Sequence, residues 1–214
     1  MKPTILYLAS RSPRRKELLS QAGIRFRVYV PQEEELAAPK KTDTPPAIVR
    51  KISRAKAESA LRELKAQGRK GGLILSADTL VFYRGKVLGK PSSKRHAEQM
   101  LKTLSGRWHQ VCTAVTCVKF ESEKRQQKTI CISSRVKFFP LSKPLLAWYI
   151  ATGEPMDKAG AYGAQTFGAS LIEKFSGSYT NVVGLPVGET LRLLEEVSGL
   201  KRAQLVGKNA LLKK

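Results

Sequence analysis

The chain has 214 residues and carries 39 Lys plus Arg against 17 Asp plus Glu, a formal net charge of +22. An apolar fraction of 42% with 26% charged residues excludes charge-driven disorder, and no apolar run reaches the ~20 residues of a membrane span. The length suits one α/β domain or two lobes sharing a core.

In chain order, Ile5-Leu6-Tyr7-Leu8 reads as a short buried strand. Ser12 then offers an N-cap and Pro13 the first helical position, where a missing N–H costs nothing. Leu18, Leu19 and Ala22 give that helix an apolar face, and Gly23 stops it. Alternation over 26–30 predicts a second strand, followed by a polar loop holding Glu33-Glu34-Glu35. Thr44-Pro45-Pro46 starts a long helix with Ile48, Ile52, Ala55, Leu61 and Leu64 inward, ended by Gly68, Gly71 and Gly72. Residues 73–77 form a buried strand that stops at Asp78. Two strands over 79–83 and 86–88 meet at an Arg84-Gly85 turn. A helix over 93–104 buries Ala97, Met100, Leu101 and Leu104. Residues 111–120 and 129–139 are β-rich, and the polar stretch 121–128 links them as a hairpin. A capped helix over 142–151 stops at Gly153, a glycine-rich stretch covers 160–168, and a last helix over 188–197 turns Leu191, Leu194 and Val197 inward. Strands alternating with helices, then a hairpin, predict an α/β fold with a mixed sheet.

Four segments carry chemistry-bearing residues. Ser10-Arg11-Ser12-Pro13-Arg14-Arg15 sits at a strand-to-helix turn, where free N–H groups and the helix dipole favour an anion. Basic residues in a first helical turn are unfavourable alone, and a phosphate would compensate them. Ser76-Ala77-Asp78-Thr79 places a carboxylate at the C-terminal end of a buried parallel strand, where open α/β sheets present ligands. Such an Asp holds a divalent metal, orients a water, or completes a turn. Leu88-Gly89-Lys90-Pro91 fixes a lysine between backbone-restricting neighbours but is no Walker A loop. Residues 154–165 gather Glu154, Asp157, Lys158, several glycines and Gln165, whose amide could pair with a base edge. His96 and His109 have no partner at zinc or triad spacing. Cys112, Cys117 and Cys131 lack CxxC spacing, which fits packed thiols in a reducing cytoplasm.

The charge is spread through the patterned sequence: +10 over residues 1–72, +9 over 73–142 and +3 over 143–214. No run of five or six basic residues forms an arm. A polyanion is the first partner such a charge suggests. Helix-turn-helix, zinc-finger and RNP-like signatures are missing and aromatics are 7%, so nucleic acid is not the expected partner.

Taken together in this order, the segments resemble the Maf family of septum-formation-inhibitor-like nucleoside triphosphate pyrophosphatases. The resemblance runs from Leu8-Ala9-Ser10-Arg11-Ser12-Pro13-Arg14-Arg15 through Lys56-Ala57, Ala77-Asp78-Thr79, Leu88-Gly89-Lys90-Pro91 and Leu104-Ser105-Gly106-Arg107-Trp108-His109. It ends with residues 154–163 and Asn181-Val182-Val183-Gly184-Leu185-Pro186, covering about residues 4 to 197. It implies two lobes around a deep cleft, in one domain over 1–200 followed by a basic C-terminal tail over 201–214, related in architecture to inosine triphosphate pyrophosphatases. It implies cleavage of a nucleoside triphosphate into monophosphate and pyrophosphate, with a divalent metal (Mg or Mn), in a cytoplasmic homodimer. Removal of non-standard nucleotides, or a part in division control through protein partners, belongs to the same implication.

One branch of the family prefers dTTP and UTP, another 7-methyl-GTP; Arg14, Thr79 and Gln165 match the first. By the same resemblance Asp78 is the catalytic acid or proton acceptor. Ser10, Arg14, Arg15, Lys56, Thr79, Lys90, Lys158 and Gln165 contact the substrate, and Glu35 with Asp78 holds the metal. Two departures stand out: Ala164-Gln165-Thr166 replaces the common Ile-Gln-Gly, and Glu34-Glu35 replaces a common Asp-Glu pair.

Overall fold

A computed structural model describes residues 4–32, 43–122 and 124–206. Strand β1 (Leu6–Ala9) is buried along its whole length and leads into helix α1 (Pro13–Gln21). Pro13 does occupy the first helical turn, and Arg15, Leu18 and Leu19 form the buried side. Gly23, at φ 72°, ends the helix in a conformation that favours glycine. After the short strand β2 (Arg27–Val28), the long helix α2 (Pro45–Ala66) begins just past Thr44.

The inner face of α2 is Val49, Ser53, Ala57, Ala60, Leu61 and Leu64; in its first half Val49 and Ser53 stand one position on from the expected Ile48 and Ile52, and Ala57 two on from Ala55. Ile48, Ile52 and Ala55 are half-buried. A polar residue on the inner face caused the misphasing. The Ser53 hydroxyl lies 2.9 Å from Thr116 Oγ1, and the Ser76 hydroxyl donates to the Ser53 carbonyl at 2.7 Å. Partnered in this way, Ser53 costs little to bury and lets the helix lie close to the sheet.

Strand β3 (Gly71–Tyr83) is one continuous 13-residue element, not two strands separated at Asp78. It is parallel to β1 through the pair Ala9↔Ser76 and antiparallel to β5 (Trp108–Glu121) over nearly its whole length. The Arg84-Gly85 turn, both residues at positive φ, folds β4 (Lys86–Leu88) back on β3 as expected. Helix α3 (Lys94–Leu104) buries Ala97, Met100, Leu101 and Leu104, and Ser93 caps it by accepting from the His96 N–H at 3.1 Å.

The hairpin of β5 and β6 (Lys124–Phe138) is longer than the sequence suggested. Residues 124–128, read as part of a polar link, are paired strand, because their long side chains reach water and ion partners such as Glu58 and Glu196. Helix α4 (Lys143–Ala151) is capped by Ser142. Three short 3₁₀ turns (Glu154–Asp157, Ala159–Ala161, Thr166–Leu171) fill the glycine-rich region. Strand β7 (Ile172–Ser176), helix α5 (Tyr179–Val183), helix α6 (Val187–Ser198) and the short α7 (Arg202–Leu205) complete the described chain. In α6 the buried residues include Leu193, Leu194 and Val197, with Leu191 only partly covered. Within 201–206, Val206 forms a bridge with Ile24; residues 207–214 lie outside the described residues.

The sheet order is β2-β1-β3-β5-β6-β7, with β4 on the end of β3. It is the expected mixed sheet flanked by helices. Tyr7, Ala9, Ile74, Val118 and Phe120 pack under α2. The larger cluster on the other face joins Leu8, Leu75 and Val115 to apolar residues of α1, α3, α4 and α6.

Candidate active site

Because β1 stops at Ala9 while β3 runs on, a gap opens beyond the β1 C-terminus. This is the strand end that α/β sheets offer to ligands, although Asp78 itself lies in mid-strand on β3. The resulting cleft has a volume of about 620 Å³. Asp78, Thr79 and Val81 of β3 and Val111 of β5 line it, as do residues 9–15 at the start of α1 and Lys56 of α2. Lys90, residues 157–159, 162–164 and 182–184 contribute the rest of the wall.

Ser10, Arg14, Arg15, Lys56, Asp78, Thr79, Lys90 and Lys158, scattered over 149 positions of sequence, thus meet in one cavity. Gln165 follows the lining residue Ala164 but is not itself in the lining. Glu35 falls outside the described residues. Sequence reasoning did not single out Gln32, and it placed Tyr162 and Gly184 in motifs without giving them a role; all three line the cleft.

Arg15 is the most constrained of the cations. Its Nε donates to the Gly184 carbonyl at 2.9 Å, one terminal nitrogen donates to Ser10 Oγ at 3.0 Å and the other to Thr79 Oγ1 at 3.1 Å. Burial pulls the guanidinium below its ordinary value, with the Asp78 charge opposing that shift. Three of its five N–H donors are taken by neutral oxygens. Arg15 therefore ties α1, β3 and the end of α5 together and leaves positive charge in the wall. Gly184 adopts φ 129°, a conformation that favours glycine, and this turns its carbonyl to Arg15. Thr79 Oγ1 lies 2.9 Å from Thr113 Oγ1, whose hydroxyl donates to the Asn181 carbonyl at 2.9 Å. Asn181 itself donates to the Val111 carbonyl at 3.0 Å and to Ser134 Oγ at 2.9 Å, so the Asn181–Pro186 motif braces the cleft wall.

Lys56 and Asp78 form an ion pair at 2.8 Å, both largely covered. Arg14 lies 3.8 Å from Asp157, which is also paired with Lys158. Glu154 is not a cleft ligand. Its carboxylate accepts from the Tyr149 hydroxyl (3.2 Å), the Thr166 hydroxyl (2.7 Å) and the Phe167 and Gly168 N–H groups (3.1 and 3.3 Å), and so fixes the turn behind the wall. His109, without zinc or triad spacing in the sequence, is a buried structural residue with Nε2 2.7 Å from the Tyr162 hydroxyl, and desolvation pushes its pKa down to about 4.

The lining counts six cations (Arg11, Arg14, Arg15, Lys56, Lys90, Lys158) against two carboxylates (Asp78, Asp157), a net +4. A triphosphate of about −4 matches that balance. Among the described residues no three His, Cys, Asp or Glu side chains cluster into a metal cage. A magnesium-type ion needs less: one or two carboxylates, with waters and substrate phosphates filling its shell. Asp78 provides such a carboxylate.

The family described as Maf-like protein matches residues 5–197. A dTTP/UTP pyrophosphatase of Symbiobacterium thermophilum is 46% identical over 194 residues, 89% of this chain and 93% of that protein. One of Thermosipho melanesiensis is 43% identical over 189 residues, 88% of this chain and 96% of that protein. Among solved structures, a HAM1 protein from Coxiella burnetii aligns over 97% of this chain and 96% of its own, at 13% identity and a TM-score of 0.41.

Proposed function

The chain belongs to the Maf family, and from that premise we propose that it hydrolyses dTTP and UTP to the nucleoside monophosphate and pyrophosphate. The observation that carries the reading is the cleft of net +4 with the Lys56–Asp78 pair in its wall. The activity named for its relatives of Symbiobacterium thermophilum and Thermosipho melanesiensis supports the substrate class.

In this reading Arg14, Lys90 and Lys158 neutralise the phosphate chain, and buried Arg15 adds fixed positive charge without reorganising during the reaction. Lys56 moves from Asp78 to a phosphate oxygen as substrate enters, which frees the carboxylate to orient the attacking water and accept its proton. Asp78, with Glu35 as the expected second ligand, would hold a divalent ion, whose chemistry is to neutralise charge on the phosphate oxygens. The protein does little covalent work, so electrostatic clamping dominates. A cytoplasmic setting accords with three free cysteines, and a homodimer follows from the family resemblance.

The test is Asp78→Asn. It removes the proton acceptor while keeping size and shape, so turnover falls roughly 10²–10⁴-fold with the circular-dichroism spectrum unchanged. Near-normal turnover would remove Asp78 from the chemistry. The Gln165 amide is assigned to base selection through hydrogen bonds to the pyrimidine edge. Gln165→Ala then narrows the ratio of kcat/KM for UTP over CTP; an unchanged ratio ends that assignment.

A further inference from the structure

A second depression, of about 330 Å³, lies away from the cleft, lined by Pro45, Phe82, Tyr83, Arg84, Trp108 and Arg135 among others. It sits beside the first turn of α2, where β3, β5 and β6 continue beyond the helix. Arg135 lies over the Trp108 ring at 5.2 Å. Arg84, at the turn on the rim, lies 5.4 Å from the Tyr83 ring, which packs on the opposite face of the sheet with Arg107 at 6.0 Å. Trp108 is 39% exposed, and all three arginines are exposed. Among the described residues none of the three has a carboxylate within ion-pair distance. Asp43, close by in sequence to Pro45, is engaged by Lys51 at 2.7 Å.

The same surface continues along β6. Arg50 of α2 donates to the Thr129 carbonyl at 3.3 Å, and Arg54 donates to the Thr129 hydroxyl at 3.1 Å. Thr129 and Arg135 are an even number of residues apart on one strand, so they share a face and stand about 20 Å apart. The fold therefore gathers four arginines (Arg50, Arg54, Arg84 and Arg135) and the Trp108 ring from α2, the β3–β4 turn, β5 and β6 into one track. Cations unpaired by acid and lying on exposed rings fit a ligand that brings both phosphates and flat bases. A single nucleotide could engage only one end of a 20 Å track, whereas a single strand spans it.

We propose that this surface binds single-stranded nucleic acid, with phosphates on Arg50, Arg54, Arg84 and Arg135 and a base against the indole of Trp108. It is separate from the hydrolytic cleft, since neither Arg84, Trp108 nor Arg135 lines that cavity.

The experiment is fluorescence anisotropy of a 5′-fluorescein-labelled 12-nucleotide oligoadenylate titrated with the full chain from 50 to 200 mM salt. Arg84→Glu/Arg135→Glu should weaken binding at least ~10-fold and flatten the slope of log K against log salt by about 1.4, at ~0.7 per lost phosphate contact. Trp108→Ala should cost roughly 10-fold through lost stacking. Both variants should keep triphosphate turnover within about twofold of the parent, which also reports an intact fold. A charge-matched control on another surface, Arg25→Glu/Arg69→Glu, should change binding less than ~3-fold. The proposal is overturned if the control weakens binding as much as the track variants, since attraction would then follow net charge alone. It is equally overturned if AMP displaces the probe as effectively as unlabelled oligoadenylate, or if no binding is seen at 50 mM salt.

Discussion

Arg15 and His109 are both buried and titratable, and their neighbours put them to different uses. Arg15 keeps its charge because three protein oxygens take up its fork and the Asp78 carboxylate opposes its desolvation. His109 has only the Arg107 backbone to oppose its desolvation: among the described residues no side chain reaches its Nδ1, and its ring packs against Phe138 and Tyr162 at 4.9 and 5.3 Å. In the folded chain it is neutral above a pKa of about 4, whereas in the unfolded chain it titrates near 6.5. The unfolded state thus binds the extra proton between those values, and stability falls as pH drops through that window, by about 3 kcal/mol in full. His109→Gln, which keeps a partner for Tyr162 but cannot titrate, should flatten that part of the stability–pH curve in urea unfolding; an unchanged slope would place the acid sensitivity elsewhere. At this scale the cleft residues were legible only as motifs. Nothing in spacing alone links Arg15 to Gly184, 169 positions away, or assigns Glu154 to bracing a turn instead of binding substrate.

Elements were legible where their ends carry chemistry. Ser93, Ser142 and Pro13 mark helix starts that the structure keeps, and the four buried residues of α3 follow its period. β7 and α5, five residues each, are too short for a period to emerge, and they form because β6 and the cleft wall receive them. The loop carrying Lys90 is held by a similar long-range contact: the Gly160 N–H donates to the Gly89 carbonyl at 3.0 Å. Gly160 sits at φ 69°, and a Cβ there would lie 2.9 Å from Val81 Cγ1. Gly160→Ala should therefore cost roughly 1–3 kcal/mol, from backbone strain and overpacking together. In thermal unfolding, Val81→Ala introduced beside it should relieve the overpacking but leave the strain. A Gly160→Ala protein as stable as the parent would mean that the loop adopts another conformation.

For the whole molecule, the mixed sheet was readable from the order of apolar segments, but the site was not a property of any one of them. Ending β1 early while β3 continues creates the cleft, and the pairing register of those two strands decides which side chains face it. The +22 charge likewise acquires meaning only in three dimensions. Six of the cations line the cleft, balanced there by only two carboxylates, and four arginines from three segments converge on the track beside Trp108. The remainder keep a basic surface that raises the local concentration of anionic substrates. The proposed function requires that the net +4 cleft cleave a pyrimidine nucleoside triphosphate between its α and β phosphates. It is tested most directly by incubating the full chain and magnesium with dTTP, UTP, CTP, GTP and 7-methyl-GTP and identifying every product. The expected result is preference for dTTP and UTP, each yielding monophosphate and pyrophosphate in equal amounts. Release of orthophosphate with a nucleoside diphosphate, or turnover confined to 7-methyl-GTP, would contradict it.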